Sequence, residues 1–336
     1  MLWFFLTEIL DTLAQITINK FKKMIDMLKF MLRLTNLVLF GILFPNTAFS
    51  QNSPVNTGNI ERRWQDIEYA NTSNAQRLDI YLPENGEGPF PVILSIHGGA
   101  FKSGDKRDGQ LKPMLEGLNH GYAVVSVNYR LSPEAKFPAQ IFDVKAAVRW
   151  IRANAKQYKL NADKIAAWGG SAGGHLSALL GTSGDVSSLE DLQLGNPEQS
   201  SRLQAVVDWF GPTDFLKMDE QLLESKVKNP QVHSIPDSPE SELIGKNLEE
   251  APELVRKANP ETYITPDDPP FFIQHGLTDN LVPYQQSVNL AEKLEIKLGK
   301  EKVTLKLFPG TGHGGPAFLA ADNLENIFRF LDSYLK

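Results

Sequence analysis

A mostly parallel β-sheet with helices on both faces, the α/β class, is the fold this sequence predicts, and three observations carry the prediction. Eight apolar segments of strand length recur from residue 64 onward. The later ones ("VILSI", "AVVSV", "AVVDWF", "FFI") are nearly continuous in apolar residues, as strands buried on both faces are. Stretches of helical periodicity fall between them, and strand followed by helix, repeated, means parallel pairing.

In chain order, segments 64–69 and 77–82 alternate apolar and polar residues and read as half-buried antiparallel strands. Strands are expected next at 91–97 and 122–128. A helix follows from Pro138, with proline at the first helical position and apolar residues recurring at three and four. Segment 164–168 reads as a strand that turns directly into the helical pattern "AGGHLSALLG", and 206–210 as the next strand. Between Pro212 and Pro269 the rhythm breaks: no strand, several prolines, and short helical pieces at 219–226 and 250–256. An excursion of that length inside such a fold is functional or disordered, and this one has enough apolar residues to pack. It reads as a lid or cap, 212–269, laid across the carboxyl ends of the strands. Strands at 270–275 and 303–308 complete one domain over 51–336.

Composition narrows the function classes. Of 336 residues 42% are hydrophobic and 22% charged, an ordinary globular balance that leaves one large domain or two small ones open. Residues 1–50 hold five Lys/Arg and three Asp/Glu, so the net charge of −6 leaves −8 on 51–336. No basic run is visible, which argues against nucleic acid or an anionic membrane surface as partner.

The beginning reads as an export signal. From Met27 come Lys29 and Arg33, then the apolar run 37–44, then Pro45 and small residues up to Ser50, with cleavage expected before Gln51. The run is far short of the ~20 residues that span a bilayer, so no membrane anchor is expected after processing. Residues 1–26 make a long leader, which a translation start at Met27 would explain. With no cysteine in the chain, a lipid-modified cysteine and a disulfide are both excluded. The expected destination is the periplasm or the exterior.

The stretch most informative about chemistry is "WGGSAGG", 168–174. It lacks the Gly-Lys-Ser/Thr of a phosphate loop and the Gly-x-Gly-x-x-Gly of a dinucleotide site. A linker does not fit between an apolar strand and a helix. What remains is Gly-x-Ser-x-Gly at a sharp strand-to-helix turn, which thrusts the hydroxyl of Ser171 out of the sheet.

A serine hydroxyl needs a base to take its proton. Of the six histidines, His120 and His233 read as surface or structural, His175 as packed on the helix after Ser171, and His275 as a brace for a loop. His97 heads the loop after the third strand. His313 in "FPGTGHGG" lies on a glycine-rich loop after the last strand, free to reach over the sheet edge. The acid that orients the base is Asp279 in "HGLTDNLVP", with Asp214 as the alternative. The order Ser171, Asp279, His313 is the one expected of a single fold. The loop "HGGAF" offers backbone N–H groups at Gly98 and Gly99, and Ala172 offers another, for the oxyanion formed when a carbonyl is attacked. Phe101, Trp209 and Phe210 follow strand ends and are candidates for an acyl pocket, with burial as the competing role for the last two.

These residues resemble the α/β-hydrolase superfamily, and within it the hormone-sensitive-lipase-like esterases and the BD-FAE (bifunctional acetylxylan and feruloyl esterase-like) group. The similarity covers nearly all of 64–336 and rests on "IHGGAFKSGDK", "VVSVNYRLSPEAKFPAQIFDVKAAVRWIRANA", "KIAAWGGSAGGHLSALLG", "AVVDWFGPTDF", "HGLTDNLVPYQQS" and "GTGHGGPAF". The resemblance implies an eight-stranded sheet, Ser171, Asp279 and His313 as triad, and Gly98, Gly99 and Ala172 as oxyanion donors. Many relatives carry a third glycine where this chain has Ala100, which leaves the donor pair open. Arg130 and Asp143 match positions read as scaffolding. The implied activity is hydrolysis of carboxylic esters through an acyl-enzyme, with no metal or cofactor, on short acyl esters and acetyl or feruloyl esters of plant polysaccharides. A prolyl-oligopeptidase-type peptidase is the alternative, although about 40 residues before the third strand leave no room for a propeller. A hydrolase fold used only for binding is a further one.

Overall fold

The computed structural model describes residues 54–336, so the export signal expected over 1–50 lies outside the described residues. Eight strands form: β1 (Arg63–Glu68), β2 (Arg77–Tyr81), β3 (Phe90–Ile96), β4 (Ala123–Val127), β5 (Leu160–Gly170), β6 (Ala205–Trp209), β7 (Phe271–Gly276) and β8 (Val303–Phe308). They make one sheet in the order β1-β2-β4-β3-β5-β6-β7-β8. β1 and β2 pair antiparallel, β2 is antiparallel to β4, and every later pair is parallel. Each expected strand is present. β5 starts earlier than its apolar run suggested, because Leu160 at its beginning pairs with Phe90.

The helices are α1 (Leu111–Leu115), α2 (Ala139–Asn154), α3 (Ala172–Thr182), α4 (Met218–Glu224), α5 (Pro239–Ile244), α6 (Pro252–Ala258), α7 (Gln285–Leu298), α8 (Pro316–Leu319) and α9 (Ala321–Leu335). Pro138 caps α2 with φ −99° instead of occupying its first turn. Alternation along the strands sorts the core into two clusters, one per face. Val92, Leu94, Val125 and Ala167 join Ile141, Val144, Leu176 and Leu290 of α2, α3 and α7. Ile93, Val124, Ala166 and Trp168 join Met114, Ile327, Phe328 and Leu331 of α1 and α9. Helices on both faces follow directly from a side-chain period of two in strands apolar at every position.

β2 is where alternation misled. Asp79 should face solvent, yet it is fully buried, with Arg107 Nε 2.5 Å from one carboxylate oxygen and Lys106 3.6 Å from the other. Charge pairing makes that burial tolerable. It also ties the chain after β3 back to the first strands, because Lys106 and Arg107 each reach Asp66 of β1 as well, both at 2.7 Å. Arg130 and Asp143 form a bidentate pair, 2.7 Å at the closest, in keeping with a scaffolding role.

Between β6 and β7 lie α4, α5, α6 and short 3-10 turns, without a strand. Their contacts are with loops at the carboxyl ends of the sheet strands and with α7, where Gln286 donates to Gln221 at 2.6 Å. Lys102 meets Glu242 at 3.0 Å, Phe137 N–H donates to Leu243 O, and Gln231 N–H donates to Asn280 O. Near the end of the segment Glu261 pairs with Lys293 of α7.

Candidate active site

β5 ends at Gly170 and α3 begins at Ala172, so Ser171 alone makes the turn, at φ 57° and ψ −123°. That left-handed conformation costs a side-chain-bearing residue about 1–3 kcal/mol, so the surroundings must impose it. Ser171 N–H donates to Trp209 O on β6, and His175 N–H donates back to Ser171 O, both at 2.9 Å. Strand and helix touch: a Cβ on Gly169 would lie 2.3 Å from Gly173 O, and one on Gly173 would lie 2.0 Å from Ile96 O. No other residue fits at either position, which is what Gly-x-Ser-x-Gly encodes.

Parallel register aligns the strand ends. Ile96 pairs with Gly169, Gly170 with Trp209, and Gly276 with Phe308, so the loops after β3, β5, β6, β7 and β8 leave one edge. Three of the residues singled out in the sequence meet there. Ser171 Oγ is 2.9 Å from His313 Nε2, and His313 Nδ1 is 2.7 Å from Asp279 Oδ2. A carboxylate only accepts, so Nδ1 carries the proton and Nε2 is left to accept from the serine hydroxyl. Asp279 is buried, while the His313 side chain keeps 14% of its surface exposed. Burial alone would raise the Asp279 carboxyl, but His313 and His275 outweigh it and hold the group well below the usual carboxylate range. Leu281 and Val282 N–H donate to its other oxygen at 2.8 and 3.0 Å. Asp214, the alternative acid, lies 3.7 Å from Lys217 instead, and its N–H is held by Gln286.

The loop after β3 corrects the expected donor set. Gly98 N–H donates to Gln110 Oε1 at 3.0 Å and is therefore occupied. Gly99 N–H has no acceptor among the described residues. Ala172 N–H, first in α3, has no carbonyl a turn before it in that helix. Gly99 and Ala172 are the two expected donors left free, one from each side of Ser171. Ala100 and Phe101 follow at φ 56° and 61°, so Ala100 holds the left-handed backbone without glycine. Gln110 had no signal in the sequence, because its role depends only on folding back onto the loop it follows.

The three aromatic candidates separate. Phe101 is buried against the rings of His175 and Phe215, at 5.2 and 6.2 Å. Trp209 is buried between Trp168 and Phe318. Both are packing residues, Trp209 at the end of β6 and Phe101 on the loop after β3. Phe210, at φ 43°, turns back so that its ring lies 4.6 Å from that of His313. It alone of the three flanks the serine–histidine pair. His175 Nδ1 donates to Pro212 O at 2.8 Å and the ring is buried, and His97 stacks on Tyr129.

Beneath the turn, Asp208 of β6 is completely buried; one oxygen accepts Gly211 N–H at 3.0 Å and the other has no partner. Burial pushes its carboxyl up to about 6. A raised folded value favours the protonated form, so the stabilisation is present below about 4 and is lost as pH rises from there to about 6. Two units correspond to about 3 kcal/mol above that window. Asp208→Asn keeps the acceptor but leaves a buried amide unpaired at about 1–2 kcal/mol. Thermal unfolding should therefore show a variant more stable by about 1–2 kcal/mol at pH 8 and no more stable at pH 4.

Eight strands in this order, a nucleophile turn after β5, and the acid and histidine loops after β7 and β8 define the α/β-hydrolase fold. The chain belongs to the BD-FAE family, whose model matches residues 78–294. It is 35% identical over 260 residues to the probable carboxylic ester hydrolase LipM of Mycobacterium tuberculosis, covering 74% of this chain and 55% of LipM. The chain spans about half the length of the curated relatives it matches. Among solved structures it is similar to a truncated carbohydrate esterase from gut microbiota, with TM-score 0.72 and 34% identity over 84% of this chain and 99% of that one. A bifunctional GH43-CE protein of Bacteroides eggerthii gives TM-score 0.73 and 36% identity over 82% of this chain and 38% of that one.

Proposed function

We propose that this chain is an exported serine carboxylic-ester hydrolase acting on short acyl esters, and that its natural substrates are acetyl or feruloyl esters of plant polysaccharides. The observation that carries the reading is the continuous chain Ser171–His313–Asp279, at 2.9 and 2.7 Å, beside two free N–H groups. His313 takes the proton as Ser171 Oγ attacks the ester carbonyl. Gly99 and Ala172 N–H hold the developing oxyanion, a single such donor being worth about 3–4 kcal/mol. His313 then gives the proton to the departing alcohol, and a water molecule, activated by the same histidine, releases the acid from the acyl-serine. Asp279 stabilises the imidazolium and fixes its orientation throughout. The short polysaccharide esters are supported by the two carbohydrate-esterase neighbours at 34 and 36% identity. Export is supported by the order of residues 27–50. The segment 212–269 is read as a cap, supported by its contacts with the loops after β3, β4 and β7.

The test combines fluorophosphonate labelling with hydrolysis of p-nitrophenyl esters of increasing chain length, acetylated xylan and methyl ferulate. Labelling, a preference for short chains and release of acetate or ferulate from polysaccharide are expected. Long-chain preference would overturn the substrate class, and cleavage of a proline-containing peptide amide with esters untouched would overturn the reaction class. A chain that does not label would be a binding protein.

A further inference from the structure

His275 lies just before the acid-bearing loop and has contacts that the proposed reaction does not use. Its Nε2 is 2.9 Å from Val282 O and 3.2 Å from Asp279 Oδ2, the same oxygen that faces His313. Both neighbours are acceptors, so Nε2 carries the proton and shares it between them. Its Nδ1 is 2.7 Å from Ser287 Oγ on α7, which donates to it and so fixes the tautomer. The ring is wholly buried, with the edge of Phe210 over it at 6.4 Å. We infer that His275, locked by Ser287, is a positioning residue that supplies a second hydrogen-bond donor to Asp279 Oδ2 and thereby tunes how strongly Asp279 stabilises the protonated form of His313. This inference rests on the serine-hydrolase reading above and adds two residues to its machinery.

The physical argument concerns one oxygen with two donors. A hydrogen bond to a carboxylate withdraws part of its negative charge, so the field that Asp279 exerts on His313 is weaker with His275 present than without it. Removing the second donor strengthens the hold on the imidazolium. The histidine then gives up its proton less readily, and the acid limb of the kcat/KM profile moves to higher pH. The titratable groups facing the ring are Asp279 on its own loop, His313 beyond it and Asp208 on β6, while α7 contributes the uncharged Ser287 and β8 pairs Leu307 with it. Because Asp208 also titrates and faces the ring, limbs are compared in the Asp208→Asn background.

His275→Leu, which removes the donor and keeps the bulk, is expected to lower kcat about tenfold with KM little changed. It should move the acid limb upward by about half a pH unit or more. His275→Gln, which can place an N–H near the position of Nε2, should return the limb toward its original place. Ser287→Ala keeps the ring and frees the tautomer, and should move the limb the same way by less. If His275→Leu does not fold, the Ser287→Ala and His275→Gln profiles decide. A limb that stays put in every folded variant, or moves downward, would overturn the inference even if kcat falls, since a merely structural brace lowers activity without moving it. Fluorophosphonate labelling keeps the two readings apart. With labelling intact and the limb unmoved, only the role of His275 falls. Without labelling of the unaltered protein, the hydrolase reading falls first.

Discussion

Ser171→Ala is expected to lower hydrolysis of p-nitrophenyl acetate by about 10⁴- to 10⁶-fold and to abolish fluorophosphonate labelling, without loss of the fold. The reasoning is chemical and local. Among the described residues, the hydroxyl that His313 Nε2 meets is Ser171 Oγ, at 2.9 Å, so none of them offers a second nucleophile to inherit the proton transfer. The free N–H groups of Gly99 and Ala172 would still polarise a bound carbonyl, which leaves a residual rate above that in water. Alanine at φ 57° is no worse placed than serine, and the backbone bonds to Trp209 O and His175 N–H persist. The melting temperature should therefore stay within a few degrees. Activity within tenfold of the unaltered protein would sink the assignment.

Asp279→Asn should cost about 10³- to 10⁴-fold in kcat/KM. An asparagine oxygen facing Leu281 and Val282 N–H preserves the loop bonds at 2.8 and 3.0 Å. Its amide nitrogen then occupies the place of Oδ2, where His313 Nδ1 and His275 Nε2 both look for an acceptor. An N–H pointed at Nδ1 turns His313 into the other tautomer, with a hydrogen on Nε2 directed at the Ser171 hydroxyl. The base is thereby blocked and the imidazolium loses its counter-charge. Measuring kcat/KM together with the rate of labelling at Ser171 checks this, because both depend on the same proton transfer. A loss of labelling without a loss of hydrolysis, or the reverse, would contradict a single serine–histidine unit.

Much of this was legible in the chain before any contact was known. The strands and the break after β6 could be read from the chain, the first two by alternation and the central ones by the continuous apolar signature that burial on both faces leaves. Ser171 could be read because its requirements are local: small residues two positions either side and a strand and a helix flanking them. His313 and Asp279 could be ranked by chain order and by the strand each follows. Asp79 could not be read, because an aspartate in an alternating strand looks solvent-facing until Arg107, 28 residues away, is found beside it. Gly174 had no visible reason either. A Cβ there would lie 2.4 Å from Asp208 Oδ1, a neighbour that only the packing of α3 on β6 provides.

The sequence by itself therefore determined the sheet, the strained turn at Ser171 and the candidate partners, because each is specified by spacing along a few residues. Only the tertiary structure decided which candidates are free to act. It chose Asp279 over Asp214, withdrew Gly98 by giving its N–H to Gln110, sent Phe101 and Trp209 into the core, and set His275 and Ser287 behind the acid. The physical reason is that a donor, an acceptor or a ring has chemistry to offer only if no neighbour in space has already claimed it. Those neighbours stand tens of residues away along the chain, 142 in the case of Ser171 and His313.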